Sequence, residues 1–597
     1  MSRKLIHVMN TSFRDGFQSV YGARVFTRDF VPAVEAARAA GMEHFETGGG
    51  ARFQSLVFYC NEDPFQMMDT FRSLVGPDTN LQSLARGVNV VGLESQSSDV
   101  IRLHAQLFKK HGITTVRNFD ALNDVENLIF SGRCIVEAGL RHEVTVTMME
   151  LPPGCTGAHT PEYYLSVIKG ILDAEIPFDS LCLKDASGTS TPQNVYRTVQ
   201  AAKQFLPAGT SIRFHTHETA GISVIAYKAA LEAGADGIDL AMAPVSGGTS
   251  QPDIVTMWHA LRGTDYDLGL DIHRVIEAEN IFKECMRDYF TPPESRVVEP
   301  TIPYSPMPGG ALTANSQMMR DGGIMDSFSD VIAAMGEVVR KGGFGTSVTP
   351  VSQFYFQQAF NNVMLGPWTQ IAAGYGKMVL GYFGKTPVAP DPEVVRLASE
   401  ALQLPPTTLH PLEINDRDPE KGVDAARRLL GTAGIAITDE NVFIAATCRE
   451  KGIEFLQGNA TTMVRKGASQ EKDSGDPLQT TAACTVTVGG HSFNVALESG
   501  RAVVDGTEYP FSLVEQRGDA VQKAPAGPTR EITAPLPGGI LRIAVQDGAH
   551  VTTGETLMTL EAMKMETEIR APAIGTVKLF TRPGDQVRTG QRLATIH

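Results

Sequence analysis

The stretch RFHTHETAG, Arg213–Gly221, carries two histidines two residues apart. On a β-strand, residues spaced by two share a face, so His215 and His217 would project together while Ile212 and Phe214 face the other way. Paired imidazoles at the end of a strand form a metal-ligand pattern; an accidental or structural HxH is the alternative. A second chemical signal is EAMKMETE, Glu561–Glu568, where Lys564 stands between two methionines, 33 residues from the last residue. Two copies of one short β pattern flank it, Ala534–Leu557 and Ala571–Leu593. Val551, Gly554 and Leu557 match Val587, Gly590 and Leu593 at a constant offset of 36. Such duplication predicts a small β sandwich with pseudo-twofold symmetry and Gly-containing turns. Lys564 falls at the junction of the halves, where a tight hairpin would hold it in solvent.

The elements that must position these residues can be read from periodicity. Strand-like segments begin near Leu5, His44, Asn80, Thr115, Glu143, Ser180, Ser211 and Gly237, and each is followed by a helix-like one. Eight βα units in about 250 residues predict a (β/α)8 barrel with a parallel sheet. An open doubly wound sheet is the runner-up, but no Gly-rich dinucleotide fingerprint follows the first strand. In a barrel, the C-terminal ends of the strands build the active site, which is where His215 and His217 would lie. The barrel is expected over residues 1–290 and a helical extension over 291–465. A polar linker over 466–483, a small β module over 484–515, an Ala/Pro linker over 516–530 and the duplicated β domain over 531–597 complete the order. The second linker, extended, would reach roughly 50 Å, a tether for a mobile carrier.

Composition narrows the function classes. The chain of 597 residues is 42% hydrophobic and 20% charged, which suits a soluble multidomain protein. A net charge of −15 opposes binding to nucleic acid or anionic membrane. Seven dispersed cysteines without a CxxC pair fit a reducing cytoplasm. The N-terminus lacks an apolar h-region, and no apolar run approaches membrane-spanning length. Membrane contact would come only through a partner.

The Ala-Met-Lys-Met run at Lys564 resembles the biotinyl (biotin carboxyl carrier) domain, whose lysine bears biotin; a lipoyl domain has the same shape but usually an acidic residue and Ala beside its lysine. HTH at His215–His217, LCLKDASG around Lys184 and NTSFRDGFQS around Asp15 resemble the carboxyltransferase domain of pyruvate carboxylase and the oxaloacetate decarboxylase α subunit. FDALND (Phe119–Asp124), VSGGTSQPD (Val245–Asp253), MPGG (Met307–Gly310), VTPVSQ (Val348–Gln353) and GYFGKTP (Gly381–Pro387) extend the likeness in order. The resemblance implies that Asp15, Lys184 as its carbamate, His215 and His217 bind one divalent metal. Two nitrogens and two anionic oxygens suit Zn, Mn or Co better than Mg or Ca.

It further implies carboxyl transfer between carboxybiotin on Lys564 and a 2-oxo acid of the pyruvate/oxaloacetate type, through a metal-stabilised enolate. Arg86 in LARGVN matches the arginine that grips the substrate carboxylate, and Arg14 and Gln18 match residues near the keto acid and metal. Thr249 matches the threonine that shuttles a proton between biotin and substrate. Read alone, Arg14 and Arg86 could be ion-pair partners, Asp15 and Thr249 helix caps. The chain departs from the family pattern at Asn10, Gly16, Phe17, Gly48, Gln54 and Leu93, around the family's substrate and biotin-access region, which leaves other 2-oxo acids open.

No ATP-grasp or P-loop signature is present, so the resemblance implies a separate biotin carboxylase subunit, a membrane decarboxylase subunit or a transcarboxylase assembly as partner. A biotin protein ligase to load Lys564 and a homo-oligomer, guessed as a dimer, are expected with it. Two other readings compete: a biotin carrier whose barrel is only a docking platform, and a metal-dependent aldolase or acyl-transfer lyase that needs no Lys564.

Overall fold

The computed structural model describes residues 3–467, 482–488, 491–498, 501–504, 507–510, 530–535, 538–562, 565–588 and 590–597. Eight parallel strands close into a barrel. They are β1 (His7–Asn10), β2 (His44–Glu46), β3 (Asn80–Ala85), β4 (Thr115–Phe119), β5 (Arg141–Thr147), β6 (Ser180–Asp185), β7 (Ser211–Thr216) and β8 (Gly237–Leu240). β8 closes on β1 with Val8 opposite Ile238. The expected (β/α)8 barrel is therefore present. Two strands begin elsewhere than their pattern suggested. β1 starts at His7 because Lys4–Leu5 pairs with Tyr266–Asp267 instead, and β5 starts two residues before Glu143.

A recurrent signal starts the barrel helices: a capping side chain followed by proline at the first helical position. Asp63 caps Pro64–Val75, Thr160 caps Pro161–Asp173 and Thr191 caps Pro192–Phe205, each accepting from backbone N–H groups in the first turn. Residues alternate along the strands as the pleat requires. Ile212 and Phe214 turn outward into the helix layer, where Phe214 meets Tyr227 edge-on with ring centroids 5.7 Å apart. The inward set on the same strand is Arg213 and His215, and the barrel interior is unusually polar for a fold whose layers are commonly Val, Ile and Leu.

The helices beyond the barrel do two different things. Gly309–Asp321, Phe328–Lys341, Val351–Leu365, Ala373–Val379 and Pro392–Leu402 share a core with Leu84, Phe119 and Ala186. Those three residues sit at or just past the C-terminal ends of β3, β4 and β6, so this helical layer covers the barrel mouth. Gly422–Thr432 and Asp439–Leu456 instead join the barrel's outer core, where Phe443 packs edge-on against Phe53 and Phe108. The helical extension is thus not a single packing unit.

Residues 482–510 hold a four-stranded antiparallel sheet, one strand more than the three read from sequence; the added one is Thr507–Pro510. The expected linkers fall largely on residues outside the described set. The C-terminal domain is two four-stranded sheets. The short strand His550–Val551 pairs with Gly575–Leu579, and its counterpart Gln586–Val587 pairs with Gly538–Ile543. Each half therefore completes the other's sheet at the 36-residue offset, and Val551, Leu557, Val587 and Leu593 all enter the core. Strands Thr556–Ala562 and Met565–Arg570 pair antiparallel, Ala562 opposite Met565. Lys564, between them in sequence, lies outside the described residues. Among the described residues, no helix is long and apolar enough to cross a membrane.

Candidate metal centre and active site

Three βα junctions at the C-terminal end of the barrel bring four predicted residues together. After β1 the chain makes a π-helical turn, Ser12–Gly16, a distortion common at functional sites. That turn buries Arg14 and Asp15. Lys184 is the penultimate residue of β6, His215 lies on β7, and His217 follows one residue past its end. Asp15 Oδ2 is 3.4 Å from His215 Nε2, 3.3 Å from His217 Nε2 and 3.9 Å from Lys184 Nζ. Lys184 Nζ is 3.0 Å from His215 Nε2.

Each imidazole is fixed by its other nitrogen. His217 Nδ1 donates to the Thr249 carbonyl at 2.7 Å, and His215 Nδ1 donates to Asp239 Oδ2 at 2.8 Å. Both Nδ1 atoms therefore carry the proton and both Nε2 atoms are unprotonated acceptors, met by Lys184 Nζ at His215 and by Gln251 Nε2 at His217. These two acceptors face each other at 3.1 Å, a separation that favours a cation between them rather than a hydrogen bond. Asp15, His215 and His217 are the metal-capable cluster found among the described residues, and the donor set fits a divalent transition ion.

The electrostatics agree with that chemistry. Burial would raise the Asp15 carboxyl, but Arg14, then His217 and Lys184, hold it well below the usual range. Burial lowers Lys184, with Asp15 opposing, so the neutral amine that carbamate formation requires is favoured. Burial first, then Lys184, holds His215 well below its ordinary value, as a ligand requires.

Beside this cluster lies a cavity of about 30 Å³ walled by Arg14, Gln18, Arg86, Lys184, His217, Leu84, Phe119 and Val348, among others. Its two guanidinium groups differ. Arg14 is neutralised: it donates to Glu46 at 2.5 Å and to Gln18 Oε1 at 3.2 Å, and lies 3.3 Å from Asp15. Arg86 is 2% exposed and, among the described residues, has no carboxylate partner; it donates to the carbonyls of Val91 and Gly92, while its Nε finds no acceptor there. Burial, and secondarily Arg14, pull it down to about 9. A buried guanidinium without a carboxylate partner beside a cavity has the chemistry to receive an anion.

Thr249 is adjacent but turned away. Its hydroxyl donates to the Ser19 carbonyl at 2.8 Å and meets Thr313 Oγ1 at 3.2 Å, and it does not wall the cavity. Its backbone lies so close to Gly309 that a Cβ there would stand 1.6 Å from the Thr249 oxygen. The departures from the family pattern also lie off the cavity wall: Gly48 faces Met68 and Ser83, and Gln54 donates to the Thr447 carbonyl. Asn10 donates to the sulfurs of Met42 and Met242, and Phe17 joins an aromatic cluster with Phe13, Phe30 and Phe282.

Sequence reasoning missed four residues that act on this site. Glu46 pairs Arg14; Asp239, itself paired with Arg117, orients His215; and Gln251 Nε2 donates to Asp15 at 3.0 Å and reaches His217 Nε2 at 2.9 Å. A usable signal was present. Arg117 and Asp239 are the single charges of their barrel strands, a placement that demands a buried partner.

Comparison with known proteins places the chain. Residues 143–282 match the HMGL-like family model, 302–504 the conserved carboxylase domain and 530–596 the biotin-requiring enzyme domain. A pyruvate carboxylase subunit of Methanocaldococcus jannaschii is 29% identical over 564 residues, 94% of each chain. The methylmalonyl-CoA carboxyltransferase 5S subunit of Propionibacterium freudenreichii subsp. shermanii is 32% identical over 447 residues, 75% of this chain and 86% of that one. The carboxyl transferase domain of Rhizobium etli pyruvate carboxylase has the same fold, with a TM-score of 0.69 at 23% identity over 85% of this chain and 89% of that one. The chain belongs to the biotin-dependent carboxyltransferase family and is an enzyme of that class.

Proposed function

We propose that the chain transfers a carboxyl group between biotin on Lys564 and a small 2-oxo acid of the pyruvate/oxaloacetate type. The observation that carries this reading is the meeting of two unprotonated imidazole nitrogens, Asp15 and Lys184 beside a buried Arg86 that has no carboxylate partner among the described residues. Asp15, His215, His217 and Lys184, the last as its carbamate, would hold the divalent metal. An ion held there would supply Lewis acidity toward a keto oxygen and the enolate derived from it. Arg86 would take the substrate carboxylate as a planar fork, and Arg14, held by Glu46, would keep Gln18 aimed at the keto acid. A small cavity walled by Arg86 supports a small 2-oxo acid as the substrate. Thr249 would carry the proton between biotin and the substrate methyl carbon, its hydroxyl leaving the Ser19 carbonyl to do so.

Likeness to a relative that is itself one subunit of a pyruvate carboxylase supports a separate biotin carboxylase subunit as the carboxyl supplier. The likeness to a methylmalonyl-CoA carboxyltransferase subunit supports a second reading, in which the same half-reaction belongs to a transcarboxylase.

The test is pyruvate release from oxaloacetate by biotinylated protein supplied with Zn, Mn or Co. Release that avidin blocks, and that Lys564→Ala, His217→Ala and Thr249→Ala each lose, is the expected result. Release that persists in Lys564→Ala would put the chemistry with biotin-independent lyases and overturn the proposal.

A further inference from the structure

Four charges lie buried in the middle of the barrel, below the candidate metal site. Arg117 on β4 and Arg213 on β7 face Glu143 on β5 and Asp239 on β8. Arg117 donates to Glu143 at 2.6 Å and to Asp239 at 2.5 Å; Arg213 lies 3.5 Å from Glu143 and 3.3 Å from Asp239. Each acid is thus shared by both arginines in a closed ring of zero net charge, with Arg117 and Asp239 fully buried. Desolvating such ions costs several kcal/mol apiece, and apolar replacements of similar volume often leave a fold as stable or more so. Stability is therefore a weak reason for this ring to exist. The Tyr227 hydroxyl, donating to the Asp239 carbonyl oxygen, pins the same strand position.

One edge of the ring touches the metal site. Asp239 Oδ2 is the acceptor for His215 Nδ1–H at 2.8 Å. His217, by contrast, is held by a neutral carbonyl, that of Thr249. A carboxylate behind an imidazole fixes its tautomer and raises its basicity more than a carbonyl does. At the opposite edge, Glu143 and Arg213 wall a cavity of about 450 Å³ that opens at the N-terminal mouth of the barrel, together with His44 and Gln82. His44 lies 2.8 Å from Gln82, and Gln82 donates to Glu143 at 2.7 Å, so hydrogen bonds run unbroken from that mouth to His215.

We propose that Asp239, held by the Arg117–Glu143–Arg213 ring, is the positioning residue that locks His215 as its Nδ1–H tautomer and so sets the affinity of the metal site. Residues at the far mouth of the barrel then act on an ion at the near one. The inference rests on the metal reading above, and its test separates the two.

Full-length biotinylated protein carrying Asp239→Asn keeps the side-chain volume but can turn an amide N–H₂ toward Nδ1. The proton then moves to Nε2 and blocks the ligand. Chelator competition should find metal bound about 10- to 100-fold more weakly, the range typical for loss of such an outer partner. The visible spectrum of the Co(II)-loaded variant should shift, while circular dichroism stays that of the parent. Glu143→Gln, which does not touch His215, should weaken metal several-fold in the same direction. A folded Asp239→Asn protein with parental affinity and an unchanged Co(II) spectrum would overturn the proposal. Parent protein that neither retains nor takes up metal would instead sink the metal reading itself. Should Asp239→Asn fail to fold, metal-free parent protein labelled with ¹⁵N-histidine decides: a proton on His215 Nδ1 supports the proposal and one on Nε2 overturns it.

Discussion

Replacing Arg86 with methionine should separate binding from stability, because the guanidinium is costly to the free protein and useful only with substrate. Burial brings it down to about 9 from an ordinary 12.5, which corresponds to about 5 kcal/mol of disfavoured charge in a side chain that is 2% exposed. Against that, Arg86→Met strips the carbonyls of Val91 and Gly92 of a donor, at about 1–3 kcal/mol each. The two effects offset to within about 3 kcal/mol, with the balance on the side of the variant, so its thermal midpoint should change little or rise. With substrate present the account is one-sided. Two charge-assisted hydrogen bonds to a carboxylate are worth about 1.5–3 kcal/mol apiece, and kcat/KM should fall roughly 10²- to 10⁴-fold. Arg86→Lys keeps the charge but not the fork and should fall between the two. Differential scanning calorimetry paired with steady-state keto-acid release reads both quantities on one preparation. A variant that loses stability while kcat/KM is retained would refute the reasoning and make Arg86 a strut for the turn at Val91–Gly92.

Lys184→Ala should lose bound metal, and parent protein given ¹³C-bicarbonate should develop a carbamate carbon resonance that Lys184→Ala lacks. Gly309→Ala forces a Cβ to within 1.6 Å of the Thr249 oxygen that orients His217, so metal content measured by mass spectrometry should drop although no ligand has changed. Glu279 is raised by burial, and next by Asp253, to about 8 from 4.5. Its folded form holds the proton longer than its unfolded form, so this contribution to stability is complete below pH ~4.5 and is lost as pH rises to about 8. Glu279→Gln should flatten that part of a denaturant-midpoint profile.

Much of this architecture was legible because it is periodic. The barrel strands announced themselves by repeating apolar runs, and the C-terminal domain by a 36-residue duplication that the structure realises as an exchange of short strands between sheets. His215 and His217 were found together because strand alternation is a local rule. Asp15 and Lys184 lie 200 and 31 residues from His215 and became visible only through motif resemblance, since nothing local says which loops meet at a barrel mouth. Asp239, Arg117, Glu46 and Gln251 were missed for the same reason: their partners come from strands and loops distant in sequence. The departures at Gly48 and Gln54, read from sequence as lying around a substrate and biotin-access region, do not wall the small cavity beside Arg86.

The most direct test of carboxyl transfer to Lys564 follows the label itself. Biotinylated, metal-loaded protein is mixed with oxaloacetate carrying ¹⁴C in the carboxyl next to the methylene, quenched in base and separated from small molecules. Protein-bound label that is absent from Lys564→Ala and from His217→Ala, with pyruvate appearing in equal amount, is the predicted result. Pyruvate appearing without label on the protein, or label that survives Lys564→Ala, would contradict the account.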